Sequence, residues 1–167
     1  VRVDIRGTGD SDGLFMDEYT EEELKDAEEV IAHLATQPWC NGAVGMMGIS
    51  WGGFNALQVA ALAPDALKAV ITLCSTVDRF ADDIHYKGGC LLNENLGWGA
   101  TMWSYSSRAP DPALREDWRE MWLERLKNEP FLPSTWLRHQ RRDEYWQHGS
   151  VCEDYTKLKA KVLAMGG

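Results

Sequence analysis

The pentapeptide Gly48-Ile49-Ser50-Trp51-Gly52, which joins an apolar run to a helix-like segment, constrains the fold of this sequence more than any other feature. The apolar run covers residues 43–49 and is typical of a strand buried on both faces of a parallel sheet. The helix-like segment covers residues 54–63. A sharp turn from strand to helix forces strained backbone angles on Ser50, and the glycines two residues to either side remove side chains that would clash. The pattern predicts a nucleophile elbow.

The segments around the elbow alternate between strand and helix. Residues 1–5 have a strand-like pattern, and a helix follows that begins at Thr20, with Glu23 completing a capping box. Residues 66–74 predict another buried strand, and residues 161–164 return to the strand pattern. This order predicts an α/β fold, with a mostly parallel sheet, right-handed crossovers and helices on both faces.

Residues 78–150 differ in character from the rest. They contain six of the eight tryptophans and show no strand pattern. An amphipathic helix is predicted, with one apolar face formed by Leu114, Trp118, Met121, Trp122 and Leu126. We therefore predict three regions: an α/β-hydrolase core at 1–77, a helical cap insertion at 78–150, and a return to the core sheet at 151–167. Most tryptophans should be packing anchors, with one or two open to an acyl pocket.

The predicted elbow assigns chemistry to two adjacent residues. It would raise the Ser50 hydroxyl above the carboxyl ends of the strands, at the N-terminus of a helix that favours a developing anion. Ser50 is therefore the candidate nucleophile, and the backbone N–H of Trp51 is a candidate oxyanion-hole donor. The alternative is a turn in which Ser50 only caps the helix. The loop at Gly7, Gly9 and Gly13 misses the register of a phosphate-binding motif, and no organic cofactor or metal is expected.

A serine nucleophile needs a base, normally a histidine oriented by a carboxylate. In this fold the chain order is Ser, acid, His, so that both partners are expected beyond Gly167. Of the four histidines, His33 is expected on the surface of the first helix, and His85, His139 and His148 fall in the predicted cap. The alternative is that one of these cap histidines serves as the base. Acidic residues 82, 83, 153 and 154 are either surface carboxylates or groups that recognise a substrate ammonium.

Composition excludes several classes of partner. The net charge of −9 argues against nucleic acid, and no apolar run reaches the roughly 18 residues of a membrane span. The four widely spaced cysteines predict free buried thiols, which favours a reducing compartment such as the cytoplasm. The chain begins without Met inside a strand-like run and stops just after another, so a piece of a longer protein is expected.

Three ordered stretches resemble the CocE/NonD hydrolases, a family that includes cocaine esterase, α-amino-acid ester hydrolases, glutaryl acylases and Xaa-Pro dipeptidyl-peptidase-like proteins. They are residues 4–13 (DIRGTGDSDG), 37–45 (QPWCNGAVG) and 48–53 (GISWGG). Residues 82–89 and 148–155 resemble one bacterial branch of the same family.

The resemblance implies an α/β-hydrolase with a Ser-Asp-His triad, a helical cap and a C-terminal jelly roll. Ser50 matches the family's nucleophile, and Trp51 takes a position that is often Tyr. A second oxyanion donor, a tyrosine from an earlier segment, has no counterpart in this chain. The expected function is a serine hydrolase acting on a small ester, amide or short peptide. The alternative is a catalytically silent module that binds a ligand.

Overall fold

The computed structural model describes residues 1–166. In chain order the elements are α1 (Glu21–Ala35), β1 (Val44–Ile49), α2 (Trp51–Leu62), β2 (Leu67–Leu73), β3 (Tyr86–Lys87), β4 (Cys90–Leu91), α3 (Glu94–Ser106), α4 (Trp118–Asn128), α5 (Leu132–Trp136), α6 (Glu144–Gln147), two 3-10 turns (Val151–Glu153 and Tyr155–Lys157) and β5 (Lys161–Met165).

A three-stranded parallel sheet organises the chain, in the order β1-β2-β5. Ile49 lies opposite Leu73, and Leu73 opposite Met165, so that the three strands end at the same edge. The hydrogen bonds continue beyond the strands, from Ser50 N to the Leu73 carbonyl at 2.8 Å and from Cys74 N to the Met165 carbonyl at 2.9 Å. The predicted parallel sheet is confirmed, and its carboxyl edge holds Ser50.

Helices α1 and α2 cover one face of this sheet. Their buried side chains form one apolar core with the inward residues of β2 and with Val151: Leu24, Ile31, Ala56, Leu57, Val59, Ala60, Leu67 and Val70. On the opposite face Met47 is 71% exposed and Ile49 is 64% exposed. The prediction that β1 is buried on both faces is therefore wrong within residues 1–166, because nothing in the described chain packs against that second face.

The predicted strand at residues 1–5 is also wrong. A strand requires a neighbour for its backbone hydrogen bonds, and this segment has none in the described part of the chain. A groove of about 1180 Å³ lies along it, lined on its other sides by α1 and by the free edge of β1. The apolar alternation of Val1, Val3 and Ile5 is present, but alternation alone does not form a sheet.

The start of α1 follows the predicted capping box. The Thr20 hydroxyl accepts a hydrogen bond from Glu23 N at 3.1 Å, and the Glu23 carboxylate accepts one from Tyr19 N at 2.9 Å. The second bond reaches one residue further back than expected. Both satisfy backbone donors near the helix end, and they fix the path of the chain from the 14–19 loop into α1.

The regular secondary structure of residues 78–150 is mostly helical, as predicted, but two details differ. A two-residue antiparallel hairpin, β3–β4, occurs where no strand was expected. Helix α4 begins at Trp118, four residues after Leu114, which is 71% exposed. Asp111 accepts from the backbone of residues 113, 114 and 115 and forms a separate turn there, so that the helix cannot extend back to Leu114.

A second apolar core joins this helical segment to the loop at 14–19. It consists of Phe15, Tyr86, Met102, Leu132, Trp136 and Trp146, the last two of which are fully buried. The guanidinium of Arg125, on α4, donates to the carbonyls of Gly9 at 2.9 Å and Ser11 at 2.8 Å. These contacts anchor the segment to the N-terminal loop. The division into core, cap and returning segment remains a prediction.

All four cysteines are free, but the expectation that they are buried is wrong. Cys74 and Cys90 are exposed, while Cys40 and Cys152 are half-buried. Their positions explain the difference, since Cys74 follows β2 at the open edge of the sheet and Cys90 begins the second strand of the small hairpin.

Glu23 makes the stability of the fold depend on pH. Burial raises the pKa of its carboxyl to about 7, whereas an unfolded glutamate titrates at about 4.3. Between these values the folded state holds an extra proton, so the free energy of unfolding falls as pH rises. Glu23→Gln keeps an acceptor for the Tyr19 N–H but cannot titrate. The variant should therefore lack this fall in the free energy of unfolding, which is on the order of 2 kcal/mol.

Urea unfolding measured from pH 4.5 to 8 checks this prediction. Glu29→Gln, at an exposed position on the same helix, is the control and should keep the wild-type slope. An unchanged slope in Glu23→Gln would contradict the assignment of the decline to Glu23.

Candidate functional site

Ser50 occupies a strained turn between β1 and α2. Its backbone angles are φ 51° and ψ −119°, outside the helical and strand regions. Its N–H bonds to the Leu73 carbonyl of β2, and its own carbonyl accepts from Gly53 N at 2.8 Å and Phe54 N at 3.0 Å. The surrounding sheet and helix hold the strain in place, as the elbow pattern requires.

The side chain of Ser50 has no structural role within residues 1–166. It makes no capping hydrogen bond to α2, and the residue is exposed. The alternative interpretation, a serine that caps the helix, therefore does not fit the geometry. The hydroxyl lies at the helix N-terminus and at the carboxyl edge of the sheet, where it is open to an incoming molecule.

Two glycines make this bend sterically possible. A Cβ on Gly48 would lie 2.2 Å from the Gly52 carbonyl carbon, and a Cβ on Gly53 would lie 2.6 Å from the Thr72 hydroxyl. A Cβ on Gly52 would meet nothing within 4 Å. The expectation that Gly52 itself avoids a clash is thus wrong. Gly52 contributes the backbone against which Gly48 packs, and Gly53 is a constrained position that the sequence analysis missed.

Trp51 presents a free donor beside Ser50. Within residues 1–166 its backbone N–H has no acceptor, as expected for the first residue of a helix. Its indole ring packs edge-on against Phe15 at a centroid distance of 6.0 Å and against Trp98 at 6.3 Å. The ring therefore wedges the start of α2 between the 14–19 loop and α3.

None of the four histidines is hydrogen-bonded to Ser50. His33 contacts Gln37 on the surface of α1, and His139 pairs with Asp143 at 2.7 Å. His148 bonds to the Tyr19 carbonyl at 2.6 Å, and His85 is fully buried. Each histidine has a structural or surface partner, in agreement with the interpretation made from chain order. The triad acid and histidine, expected beyond Gly167, lie outside the described residues.

The four carboxylates considered for substrate recognition differ in their partners. Three have structural partners: Asp82 pairs with Lys87, Glu153 with Arg142, and Asp154 caps the second 3-10 turn. Asp83 differs, because its Oδ2 is buried without a hydrogen-bond partner. Burial raises the pKa of Asp83 to about 6, and the nearby charge of Glu18 adds to the increase.

A buried charge network behind Trp51 gave no signal in the sequence. Glu18 is almost fully buried and lies 2.5 Å from His85 Nε2, 2.9 Å from Trp98 Nε1 and 3.9 Å from Arg79. Burial alone would raise the pKa of Glu18, but His85, Arg79 and Trp98 together outweigh it and hold that pKa below its usual value. Burial likewise opposes the charged form of His85, yet the contact with Glu18 raises its pKa.

The orientation of Asn95 shows that His85 donates from Nδ1. Asn95 Nδ2 donates to the carbonyls of Leu92 at 2.8 Å and His85 at 3.1 Å. Its Oδ1 is therefore the atom that lies 2.8 Å from His85 Nδ1, and an amide oxygen can only accept. On the other side of the ring, the lowered pKa of Glu18 and the raised pKa of His85 favour a carboxylate paired with an imidazolium.

The geometry agrees with comparisons to known proteins. The profile of the X-Pro dipeptidyl-peptidase (S15) family matches residues 1–167. The chain belongs to this family. The cocaine esterase of Rhodococcus is 27% identical over 189 residues, covering 100% of this chain and 33% of the esterase. A Mycobacterium tuberculosis protein whose name proposes a serine esterase is 31% identical over 111 residues, 66% of this chain and 17% of that protein. The resemblance to CocE/NonD hydrolases is confirmed.

Solved structures show the same fold. A CocE/NonD family hydrolase from Staphylococcus aureus superimposes with a TM-score of 0.68 at 22% identity, over 93% of this chain and 25% of that one. An α-amino-acid ester hydrolase superimposes with a TM-score of 0.66 at 20% identity, over 97% of this chain and 30% of that one. The α/β-hydrolase fold class is confirmed, and this S15-family chain spans a third or less of these relatives.

Two features are absent from residues 1–166. No group of three or more His, Cys, Asp or Glu side chains is placed to bind a metal ion. No helix in this range has the length and apolar character of a membrane span.

The elbow predicts different outcomes for two neighbouring glycines of this S15-family chain. Gly48→Ala should lower the free energy of unfolding by about 3 kcal/mol, because its Cβ would enter the backbone of Gly52. Gly52→Ala is the matched control, with open space and a better helix former, and should be neutral or stabilising by up to about 1 kcal/mol. Thermal unfolding of both variants measures the difference. Equal stability of the two variants would show that the close approach of Gly48 to Gly52 is not needed.

Proposed function

We propose that the polypeptide carrying this chain is a serine hydrolase that cleaves an ester or amide through an acyl-enzyme formed on Ser50. One observation carries the proposal. The Ser50 hydroxyl, which has no capping role, is exposed from a strained bend at a helix N-terminus, beside the unpaired N–H of Trp51. A residue placed in such an unfavourable conformation at an open sheet edge is best explained by chemistry.

In the proposed reaction the Ser50 oxygen attacks the substrate carbonyl carbon while a base removes the hydroxyl proton. The carbonyl oxygen becomes an oxyanion, and the Trp51 N–H and the positive end of α2 stabilise it. Collapse of this intermediate breaks the bond to the alcohol or amine, which leaves with the proton. Water then attacks the acyl-enzyme by the same route, which releases the carboxylic acid and regenerates the Ser50 hydroxyl.

The base and its orienting carboxylate are the parts of this mechanism that residues 1–166 do not supply. The four histidines of the chain have other partners, so we propose that the triad histidine and acid follow Gly167 in the polypeptide. This assignment keeps the chain order nucleophile, acid, histidine.

The proposed substrate class is a small ester, amide or short peptide. The relatives support this breadth, since they include a protein named as a cocaine esterase and a family named for X-Pro dipeptidyl-peptidases. The Trp51 ring lies beside the elbow and packs against Phe15 and Trp98. It would present an apolar wall to the acyl group.

A fluorophosphonate probe tests the nucleophile in the full-length polypeptide. Wild type should be labelled and should hydrolyse p-nitrophenyl acetate, while Ser50→Ala should lose labelling and at least about a thousandfold in kcat. Ser75→Ala, which alters a nearby serine bonded to Thr72, is the control and should still be labelled. Labelling that persists in Ser50→Ala would contradict the proposal. A folded wild type that neither reacts nor turns over would favour the silent ligand-binding module instead.

A further inference from the structure

The Glu18 network lies in a direct line behind the proposed oxyanion donor. Trp98, on α3, donates its indole N–H to the Oε2 of Glu18 at 2.9 Å. The same indole ring meets the Trp51 ring edge-on, with the two planes 86° apart. Trp51 is the first residue of α2 and follows Ser50 directly. Glu18, Trp98 and Trp51 therefore form a continuous chain of contacts that ends at the Ser50–Trp51 peptide.

Glu18 has more hydrogen-bonding and charged partners than a buried carboxylate needs to offset the loss of water around its charge. Its other oxygen accepts from His85, whose second ring nitrogen is held by Asn95, and Arg79 lies 3.9 Å away. Arg79 is itself fixed by the carbonyls of Tyr145 and His148. A carboxylate with this many partners has one orientation, and a charge-assisted bond to Trp98 passes that orientation to the indole ring.

The neighbouring carboxylate of the loop, the half-buried Asp17, has no such connection. Asp17 accepts from the Tyr145 hydroxyl at 2.7 Å and from Trp136 Nε1 at 3.0 Å. Both partners pack within the second apolar core or against it, and neither ring contacts Trp51. Adjacent carboxylates thus hold the same segment of helices to the same loop, and only Glu18 accepts a hydrogen bond from a ring that packs edge-on against the Trp51 ring.

We propose that Glu18 is a positioning residue for the proposed reaction: through Trp98 it fixes the Trp51 ring, and with it the direction of the Trp51 N–H toward the oxyanion. This inference rests on the proposed function. An oxyanion donor acts only when it is held in place before the charge develops. A small displacement of a reacting or stabilising group can cost as much as about a hundredfold in rate.

Two substitutions in the full-length polypeptide break this chain of contacts at the hydrogen bond between Trp98 and Glu18. Trp98→Phe keeps an aromatic ring but removes the N–H that binds Glu18. Glu18→Gln keeps an oxygen for Trp98 but replaces a charged acceptor with a neutral one. We expect kcat for p-nitrophenyl acetate to fall about tenfold in Trp98→Phe and at least about threefold in Glu18→Gln. KM should stay within about twofold of wild type, since the oxyanion exists only in the transition state.

Tyr145→Phe is the matched control, because it removes a half-buried hydrogen bond to the neighbouring carboxylate, as Trp98→Phe does to Glu18. Its melting temperature should fall as much as that of Trp98→Phe, while its kcat stays at the wild-type value. The proposal is overturned if kcat is unchanged in Trp98→Phe and Glu18→Gln, or if Tyr145→Phe loses as much kcat as they do. If Trp98→Phe does not fold, Glu18→Gln decides by the same criteria.

Failure of the positioning role and failure of the proposed function give different results. A wild type with no Ser50-dependent turnover overturns both. A wild type whose turnover depends on Ser50, with both variants equal to it, overturns the positioning role alone.

Discussion

The contact between Gly48 and the backbone of Gly52 is the constraint on which the site depends. Because a Cβ on Gly48 would lie 2.2 Å from the carbonyl carbon of Gly52, the chain can reverse from β1 into α2 within a few residues only if that position is glycine. The reversal places Ser50 at φ 51° and leaves the backbone N–H of Trp51 without a partner among residues 1–166. The parallel sheet and the core beneath α2 supply the stability that holds this bend in place.

Two buried clusters support different parts of the chain. The first, between α1, α2 and the sheet, supports the elbow from below. The second joins residues 80–146 to the 14–19 loop and encloses the His85–Glu18 ion pair. A buried ion pair adds little stability compared with apolar packing of the same volume. The ion pair has an orienting role here. Through the hydrogen bond from Trp98 to Glu18, it fixes the side of the Trp51 ring that faces the helical segment.

The sequence was sufficient for the local features and for the fold class. The apolar run before Ser50, the capping box at Thr20 and Glu23, and the returning strand at 161–165 all depend on short-range patterns, and the structure contains each of them. Errors arose where neighbours decide the outcome. Residues 1–5 alternate as a strand does but have no strand to pair with. Leu114 fits the apolar face of α4, but the turn at Asp111 stops the helix from extending back to it.

The residues that the sequence could not identify are those brought together from distant positions. Glu18 and His85 are 67 residues apart. Glu18 belongs to no motif, and the stretch at 82–89 that contains His85 gives no indication of its partner. Gly53 was visible as part of a glycine pair, but its need for open space depends on Thr72 of the neighbouring strand. The nucleophile assignment differs from these, since one pentapeptide and its flanking elements support it. The most direct test is rapid acid quenching of the full-length polypeptide during turnover of p-nitrophenyl acetate, followed by mass spectrometry of its peptides. The account predicts one acetyl group on the peptide containing Ser50, and an acetyl group on another residue, or none during active turnover, would contradict it.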